Sequence, residues 1–437
     1  MIKKIILTPF QKFIKIESLS GVLLLATTII ALIWANSPYA DSYQELWQYK
    51  VGISTPFVEL QKPLILWVND GLMAIFFFLI GLEIKREFLI GELNSMKKIA
   101  FPLVGAVGGM LVPVLFYLLL NDNPETLKGW GIPMATDIAF SLAVLNVLGS
   151  RVPLSLKIFL TAFAIVDDIG AVLVIAIFYS SDIDLTLISS ALALLAALYF
   201  IAYKGYYSKY LITGIGVVIW TLFLKAGIHP TLAGILLAFS VPVRQKVDTP
   251  EFIDNLVSIT DKIKDAKISE DPVLTKEQIE EIDNLEYWTD KYQSPLQRLE
   301  HDLHGWVAYF IIPIFALANA GVAFSSADGL DLSVMSNIAI ALIAGNSIGI
   351  PTVVFLAKKL KFIEVPEDIS IRHILGVAFL AGIGFTMSIF IASLAFKASP
   401  MFIDSAKVGI LIGSFISAII GFTILRWNSS KSEEHLA

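Results

Sequence analysis

The chain alternates long apolar runs with short polar connections. A run of roughly 20 apolar residues suffices for one helical crossing of a bilayer. Such runs predict about twelve helices, over 17–35, 62–86, 98–120, 126–149, 153–179, 184–203, 207–224, 227–243, 295–323, 334–357, 368–394 and 403–427. Spans 7 and 8 are divided only by Lys225-Ala226-Gly227. Between spans 1 and 2 the period changes. Trp47 to Ser54 alternates apolar and polar residues, which predicts a strand in a small periplasmic β-hairpin whose open edge could pair with a second copy. An interfacial loop anchored by aromatics fits the same residues.

One long polar stretch, 247–293, separates spans 8 and 9. Within it Thr275-Lys276-Glu277-Gln278 fits a capping box, and Ile279, Ile282 and Leu285 follow at helical spacing. A short amphipathic cytoplasmic helix in a mobile loop is expected. Ser294 and Pro295 are expected to cap and open span 9. The polar tail after Trp427 is expected to be disordered.

Composition sharpens the class. Hydrophobic residues make up 56% of the 437 and charged residues only 16%, with a mean hydropathy of +0.75. Soluble chains are about a quarter charged. The fold class is therefore an all-α polytopic membrane protein, with residues 1–437 as a single transmembrane domain and 247–293 as a loop insertion. There is no cysteine, which excludes disulfides, thiolate metal sites and cysteine nucleophiles. No cofactor and no nucleic-acid partner is expected. Lysine and arginine gather on one side: Lys3 to Lys15, Lys85/Arg86/Lys97/Lys98, Arg151/Lys157, Lys204/Lys209, Arg244/Lys246, Lys358/Lys359/Lys361 and Arg426/Lys431. That side is read as cytoplasmic, with both termini on it. Ile5-Ile6-Leu7 is too short for a signal-peptide core, so the first span is expected to stay uncleaved.

Chemistry concentrates in span 5. Asp167 and Asp168 lie side by side in an apolar run from Pro153 to Tyr179, near the bilayer midplane. An intramembrane carboxylate costs at least about 2.5 kcal/mol, so packing alone explains the pair poorly. Span 4 contains Gly129, Gly131 and Pro133, and proline removes a backbone donor. Thr136 or Asp137 is then placed to cap a new half-helix, and Asp137 to offset the positive ends of half-helices. Span 11 is interrupted at Gly382-Ile383-Gly384. Paired interruptions in oppositely directed spans point to inverted repeats with a binding site at the breaks. A proline kink with small-residue packing is the alternative for span 4.

Other polar residues carry weaker signals. Glu83 and Glu87, interleaved with Lys85 and Arg86, close span 2. They form either a functional cluster or an interfacial salt bridge. Glu300, His301 and His304 open span 9 on the same side, at spacings that share a helix face. Histidines there suggest a proton-responsive funnel, with plain helix capping by Glu300 as the alternative. His229-Pro230 opens span 8 on the far side, where a cap or turn role is the simpler account. Asn346 puts an amide at the centre of span 10 within Gly345–Gly349, a helix-packing pattern.

Taken together, Phe77-Phe78-Leu79-Ile80-Gly81-Leu82-Glu83-Ile84-Lys85-Arg86-Glu87, Ala135-Thr136-Asp137-Ile138-Ala139-Phe140, Leu156 through Asp168, Leu299-Glu300-His301 with His304, and Gly382-Ile383-Gly384-Phe385-Thr386-Met387-Ser388 closely resemble the NhaA family of bacterial sodium/proton antiporters. The resemblance covers nearly all the transmembrane chain. It implies twelve spans with two crossing broken helices, a β-hairpin dimer contact through 39–61, an inner-membrane location and exchange of Na⁺ or Li⁺ for H⁺. It further implies Asp168 as principal cation ligand, Asp167 as its proton-binding neighbour, and Thr136 and Asp137 lining the crossing. Glu83, Glu87, Glu300, His301 and His304 would belong to a pH-responsive cytoplasmic entrance, and His229 to a far-side pH response. The chain departs from the family twice: Asn346 stands where the family has lysine, and the 247–293 connection is longer. Two other readings stay open at this point, a non-transporting pH or sodium sensor and an intramembrane aspartyl protease using Asp137 with Asp168.

Overall fold

The computed structural model describes residues 9–54, 59–91, 96–180, 183–245, 247–265, 273–323 and 329–434. The basic residues Lys3 and Lys4, Lys246 and the centre of the long connection, 266–272, lie outside the described residues. The chain is mostly helical. Helix α1 (Pro9–Ala35) turns by 112° into α2 (Ala40–Gln48), and an antiparallel ribbon of β1 (Lys50–Ser54) and β2 (Glu59–Pro63) follows, with Lys50 opposite Pro63. Then come α3 (Leu64–Ile90), α4 (Met96–Leu120), a tight 3₁₀ segment Pro124–Met134, α5 (Ile138–Val147), α6 (Leu154–Phe178), α7 (Leu185–Tyr203), α8 (Lys209–Lys225) and α9 (Thr231–Ser240). Helices α10 (Thr249–Asp265) and α11 (Lys276–Tyr292) fill the long connection. The chain closes with α12 (Pro295–Asn319), α13 (Leu332–Lys359), α14 (Ile371–Ala381), α15 (Phe385–Ala395) and α16 (Pro400–Glu434).

Among the described residues seven helices are long and apolar enough to cross a membrane, and up to ten crossings result if each of three bent pairs counts as one. The apolar runs at 207–224 and 227–243 form the shorter helices α8 and α9. Burial ranks the crossings. Of the most apolar stretch of α6, 61% is buried, against 17% for α7, so α6 runs through the interior while α7 lies at the periphery. Small residues set the tightest approaches. A Cβ on Gly234 of α9 would fall 2.2 Å from the Ala74 carbonyl of α3, and one on Gly108 of α4 would fall 2.7 Å from the Gly349 carbonyl of α13. Glycine lets these backbones touch without a side chain between them.

Four expectations need correction. The alternation starting at Trp47 is strand only from Lys50, because Trp47 and Gln48 end α2. Tyr43 and Trp47, one helical turn apart, are both buried, and Trp34 stacks edge-on to Tyr43 at 5.5 Å, so the aromatic helical face prevails over the two-residue period. The Tyr43 hydroxyl donates to the Leu317 carbonyl at 2.8 Å, and burial pushes its pKa up to about 12, which keeps it a donor.

The 247–293 connection holds two helices, not one. Thr275 and Gln278 do form the capping box of α11. Helix α10, headed by Asp248 accepting the Glu251 N–H, was concealed by its mixed charge, although Phe252, Leu256, Ile259 and Ile263 make a helical stripe. Phe252 stacks on Tyr292 at 4.2 Å and Lys262 pairs with Glu281 at 3.2 Å, joining the two into a hairpin. Ser294 stands at the N-cap of α12, ahead of Pro295, but makes no side-chain capping bond; the Leu296 N–H instead donates to the Pro242 carbonyl. Finally, α16 continues past Trp427 to Glu434.

Candidate functional site

The two bent segments meet where chemistry was anticipated. Pro124–Met134 and α5 are separated by Ala135-Thr136-Asp137 and bend by 46°; α14 and α15 are separated by Gly382-Ile383-Gly384 and bend by 43°. Pro133 ends the first segment's regular hydrogen bonding. Each break leaves helix ends inside the protein, where unsatisfied backbone groups are costly.

Asp137 resolves the positive ends. Its Oδ1 accepts the Phe140 N–H at 3.0 Å and so caps α5. Its Oδ2 accepts both the backbone N–H of Thr386, at 3.1 Å, and the Thr386 hydroxyl, at 2.7 Å, at the start of α15. One carboxyl thus serves the N-termini of two half-helices. Ser414 of α16 takes the neighbouring Phe385 N–H.

Hydroxyls resolve the negative ends. Thr136 donates to the Ala381 carbonyl at 2.9 Å and Ser141 to the Leu380 carbonyl at 2.8 Å, both at the C-terminus of α14. Ser388 donates to the Ile132 and Ala135 carbonyls, and the Asp137 N–H donates to the Ile383 carbonyl at 2.6 Å. Each bent segment is therefore stitched to the other at both polarities. The sequence assigned no role to Ser141, Thr386, Ser388 or Ser414. Thr386 and Ser388 were findable only as polar residues just past the Gly384 break.

Adjacent on α6, the two aspartates face different surroundings, as residues one apart on a helix must. Asp168 opens onto a cavity it shares with Thr136, Asp137, Thr386, Ile165, Phe76 and Met387. Asp167 is 1% exposed and lies outside that lining; its Oδ2 accepts the Thr136 N–H at 2.9 Å, while its buried Oδ1 has no hydrogen-bond partner among the described residues. Glu83 of α3 and His304 of α12 line the same cavity, 3.8 Å apart.

Behind Glu83, Arg86 bridges Glu87 at 2.7 Å and Glu300 at 2.6 Å. Lys85 does not join this cluster: its ammonium donates to the Phe239 and Val241 carbonyls at the end of α9. His301 is exposed whereas His304 is buried, so the two do not share the buried face of α12. His229 sits apart from all of these. Its Nδ1 lies 2.7 Å from the Thr231 hydroxyl and its Nε2 3.8 Å from Asp70, which also holds Lys62 of β2 at 3.0 Å. Asn346 is buried, and its Nδ2 donates to the Leu342 carbonyl of its own helix, after a π-turn over Ala341–Gly345. Its Oδ1 lies against Gly109 of α4.

Among the described lining residues Glu83, Thr136, Asp137, Asp168 and Thr386 offer oxygen, with His304 and the Met387 thioether the exceptions, and such oxygens suit hard, weakly polarising cations. Comparison with known proteins agrees in scope with the geometry. The profile of the family described as Na+/H+ antiporter 1 matches residues 11–425. The Na(+)/H(+) antiporter NhaA of Oleidesulfovibrio alaskensis is 45% identical over 426 residues, covering 96% of this chain and 94% of its own. The protein of the same name from Bacteroides thetaiotaomicron is 45% identical over 432 residues, covering 96% and 98%. Na(+)/H(+) antiporter NhaA 1 of Saccharophagus degradans is 42% identical over 421 residues, covering 95% and 91%. Matched along nearly its whole length by profile and relatives alike, the chain belongs to the Na+/H+ antiporter 1 family.

Proposed function

We propose that this chain is a secondary transporter, not an enzyme, that exchanges Na⁺ or Li⁺ from the cytoplasm for external H⁺ across the bacterial inner membrane. The observation that carries the reading is the setting of Asp168: a carboxylate on an interior helix, opening onto a cavity at the junction of two broken spans. Its neighbours there, Thr136, Asp137 and Thr386, add oxygen donors, and Glu83 with His304 mark the way in.

Sodium and protons compete for one carboxylate, so loading either excludes the other. Asp167 is the coupled partner, held by Thr136 and carrying an oxygen free to take a proton. Neighbouring carboxyls titrate as a pair. Rocking of the spans around the crossing exposes the site to either face, and competition alone then couples the two gradients without ATP.

The reading includes twelve crossings arranged as inverted repeats in one domain, with the two helices of 247–293 as a cytoplasmic insertion. The lysine and arginine bias supports a cytoplasmic side for both termini and for the Glu83/His304 mouth. Glu83, Glu87, Glu300 and His304 form a pH-responsive entrance, with the exposed His301 at its rim. His229, beside the Asp70–Lys62 ion pair, responds on the far side, where segment 39–61, with the β1–β2 ribbon, joins two copies in a dimer. A protease reading fits less well. All three donors around Asp137 already occupy its carboxyl, leaving it poorly placed to share a proton with Asp168.

Proteoliposomes loaded for ²²Na⁺ uptake against a proton gradient test the site. Asp168→Asn removes the ionisable ligand at constant shape and is expected to abolish uptake. Uptake at the wild-type rate would refute the assignment.

A further inference from the structure

Helix α14 begins on an unusual cap. The Ser370 hydroxyl accepts the His373 N–H at 3.3 Å, and the His373 Nδ1 accepts the Ser370 N–H at 3.2 Å. This reciprocal geometry is ordinarily made by serine with glutamate or glutamine three residues on. A glutamine accepts at any pH. An imidazole accepts at Nδ1 only while neutral, with its proton on Nε2. Protonation sets a hydrogen on Nδ1 facing the Ser370 N–H, and it brings a positive charge to the positive end of a helix. Both changes oppose the cap.

The other end of the same helix holds the crossing. Its 11 residues present the Leu380 and Ala381 carbonyls to the Ser141 and Thr136 hydroxyls, and the next turn presents the Ile383 carbonyl to the Asp137 N–H. A rod of that length spans about 16 Å. Midway, a Cβ on Gly376 would fall 2.5 Å from Leu425 of α16, so the rod is tightly packed there.

We propose that His373 is a proton-responsive positioning residue: neutral, it closes the cap that seats α14 against Thr136; protonated, it opens the cap and slows exchange. The cap itself stands on the hydrogen bonds above, while its effect on transport rests on the antiport reading. Burial of the ring favours the neutral imidazole, ahead of Asp368 in the loop leading into α14, whose backbone carbonyl and carboxylate both favour the imidazolium. The Asp368 carboxylate is also occupied by the Ser155 hydroxyl of α6. Other charges at this end of the packed elements include Arg372 on α14, Glu364 and Glu367 in the loop, Lys358 and Lys359 ending α13 with Lys361 just after it, Lys157 on α6 and Arg426 on α16.

His373→Gln keeps an acceptor in the cap at every pH. In proteoliposomes it is expected to leave exchange at pH 8.5 within about twofold of wild type and to move the acid limb of the pH profile down by at least about half a unit. His373→Ala, which lacks the acceptor, is expected to lower exchange at pH 8.5 itself. Amide hydrogen exchange over 370–376, corrected for the intrinsic pH effect, reads the cap without reference to transport. Wild-type protection is expected to drop at least roughly threefold between pH 8 and 5.5, and protection in His373→Gln to stay flat. Identical acid limbs, or identical protection, in wild type and His373→Gln would overturn the proposal. Titrating protection in a chain that moves no Na⁺ would uphold the cap and sink the antiport reading instead.

Discussion

A single oxygen of Asp137 accepts both the backbone N–H and the hydroxyl of Thr386, at 3.1 and 2.7 Å, although the two residues are 249 positions apart. Two half-helices from opposite ends of the chain thereby share one cap. The arrangement has a measurable energetic signature. Asp137→Ala strands three buried donors and is expected to destabilise the protein by about 3 kcal/mol, since each stranded group costs roughly 1–3 kcal/mol and neighbours relax in part. Thr386→Val removes only the hydroxyl and is expected to cost about 1–2 kcal/mol. Equilibrium unfolding of both single variants and the double variant in mixed micelles should give a coupling of at least about 1 kcal/mol. Additive losses would mean that the two groups do not share a bond.

A second buried pair was not visible in the sequence. Asn69 in the π-turn of α3 and Asn319 at the end of α12 exchange amide bonds at 3.2 and 2.8 Å. Asn69→Leu leaves the Asn319 amide facing an apolar group and is expected to cost about 1–3 kcal/mol. Adding Asn319→Leu removes the stranded partner, so the double variant is expected to unfold no earlier than the single one. Thermal unfolding in detergent distinguishes the outcomes: a double variant clearly less stable than Asn69→Leu would contradict the pairing.

The α10–α11 hairpin is expected to be separable from transport. The chain enters and leaves it close together, since the Leu296 N–H bonds the Pro242 carbonyl, and its tie to α12 is an Arg298–Asp290 ion pair at the exposed base. Replacing 249–292 with a short Gly/Ser linker should therefore keep Na⁺-driven proton movement within about twofold, as excision at adjacent surface ends usually does. A variant that folds and inserts but exchanges nothing would show that the hairpin takes part in the cycle.

The residues of the crossing divide by how far they could be read in one dimension. Pro133, Gly382 and Gly384 announce themselves locally, because they change what the backbone can do wherever they stand. Asp167 and Asp168 announce themselves by cost, since a charge in an apolar run demands a reason. Thr386, Ser141 and Ser388 do neither. A hydroxyl in a membrane helix can satisfy itself on its own preceding turn, as Thr161 does on the Lys157 carbonyl, so its presence says nothing about a distant partner.

Apolar periodicity and charge placement by themselves determined that this is a membrane protein, where most of its helices run, and that two of its apolar runs carry helix-breaking residues near an acidic pair. Only the tertiary structure decided that Asp137 caps both α5 and α15, that Asp168 and not Asp167 opens onto the cavity, that Lys85 leaves the acidic cluster to cap α9, and that His301 parts from His304. The reason is physical. Helix formation and membrane burial depend on neighbours within a turn or two and on local transfer energy, which are written along the chain. Hydrogen-bond partners across the interior depend on how separate helices are rotated and seated against one another, and that rotation is fixed by close contacts such as Gly234 on Ala74 and Gly108 on Gly349, which exist only once the chain has folded.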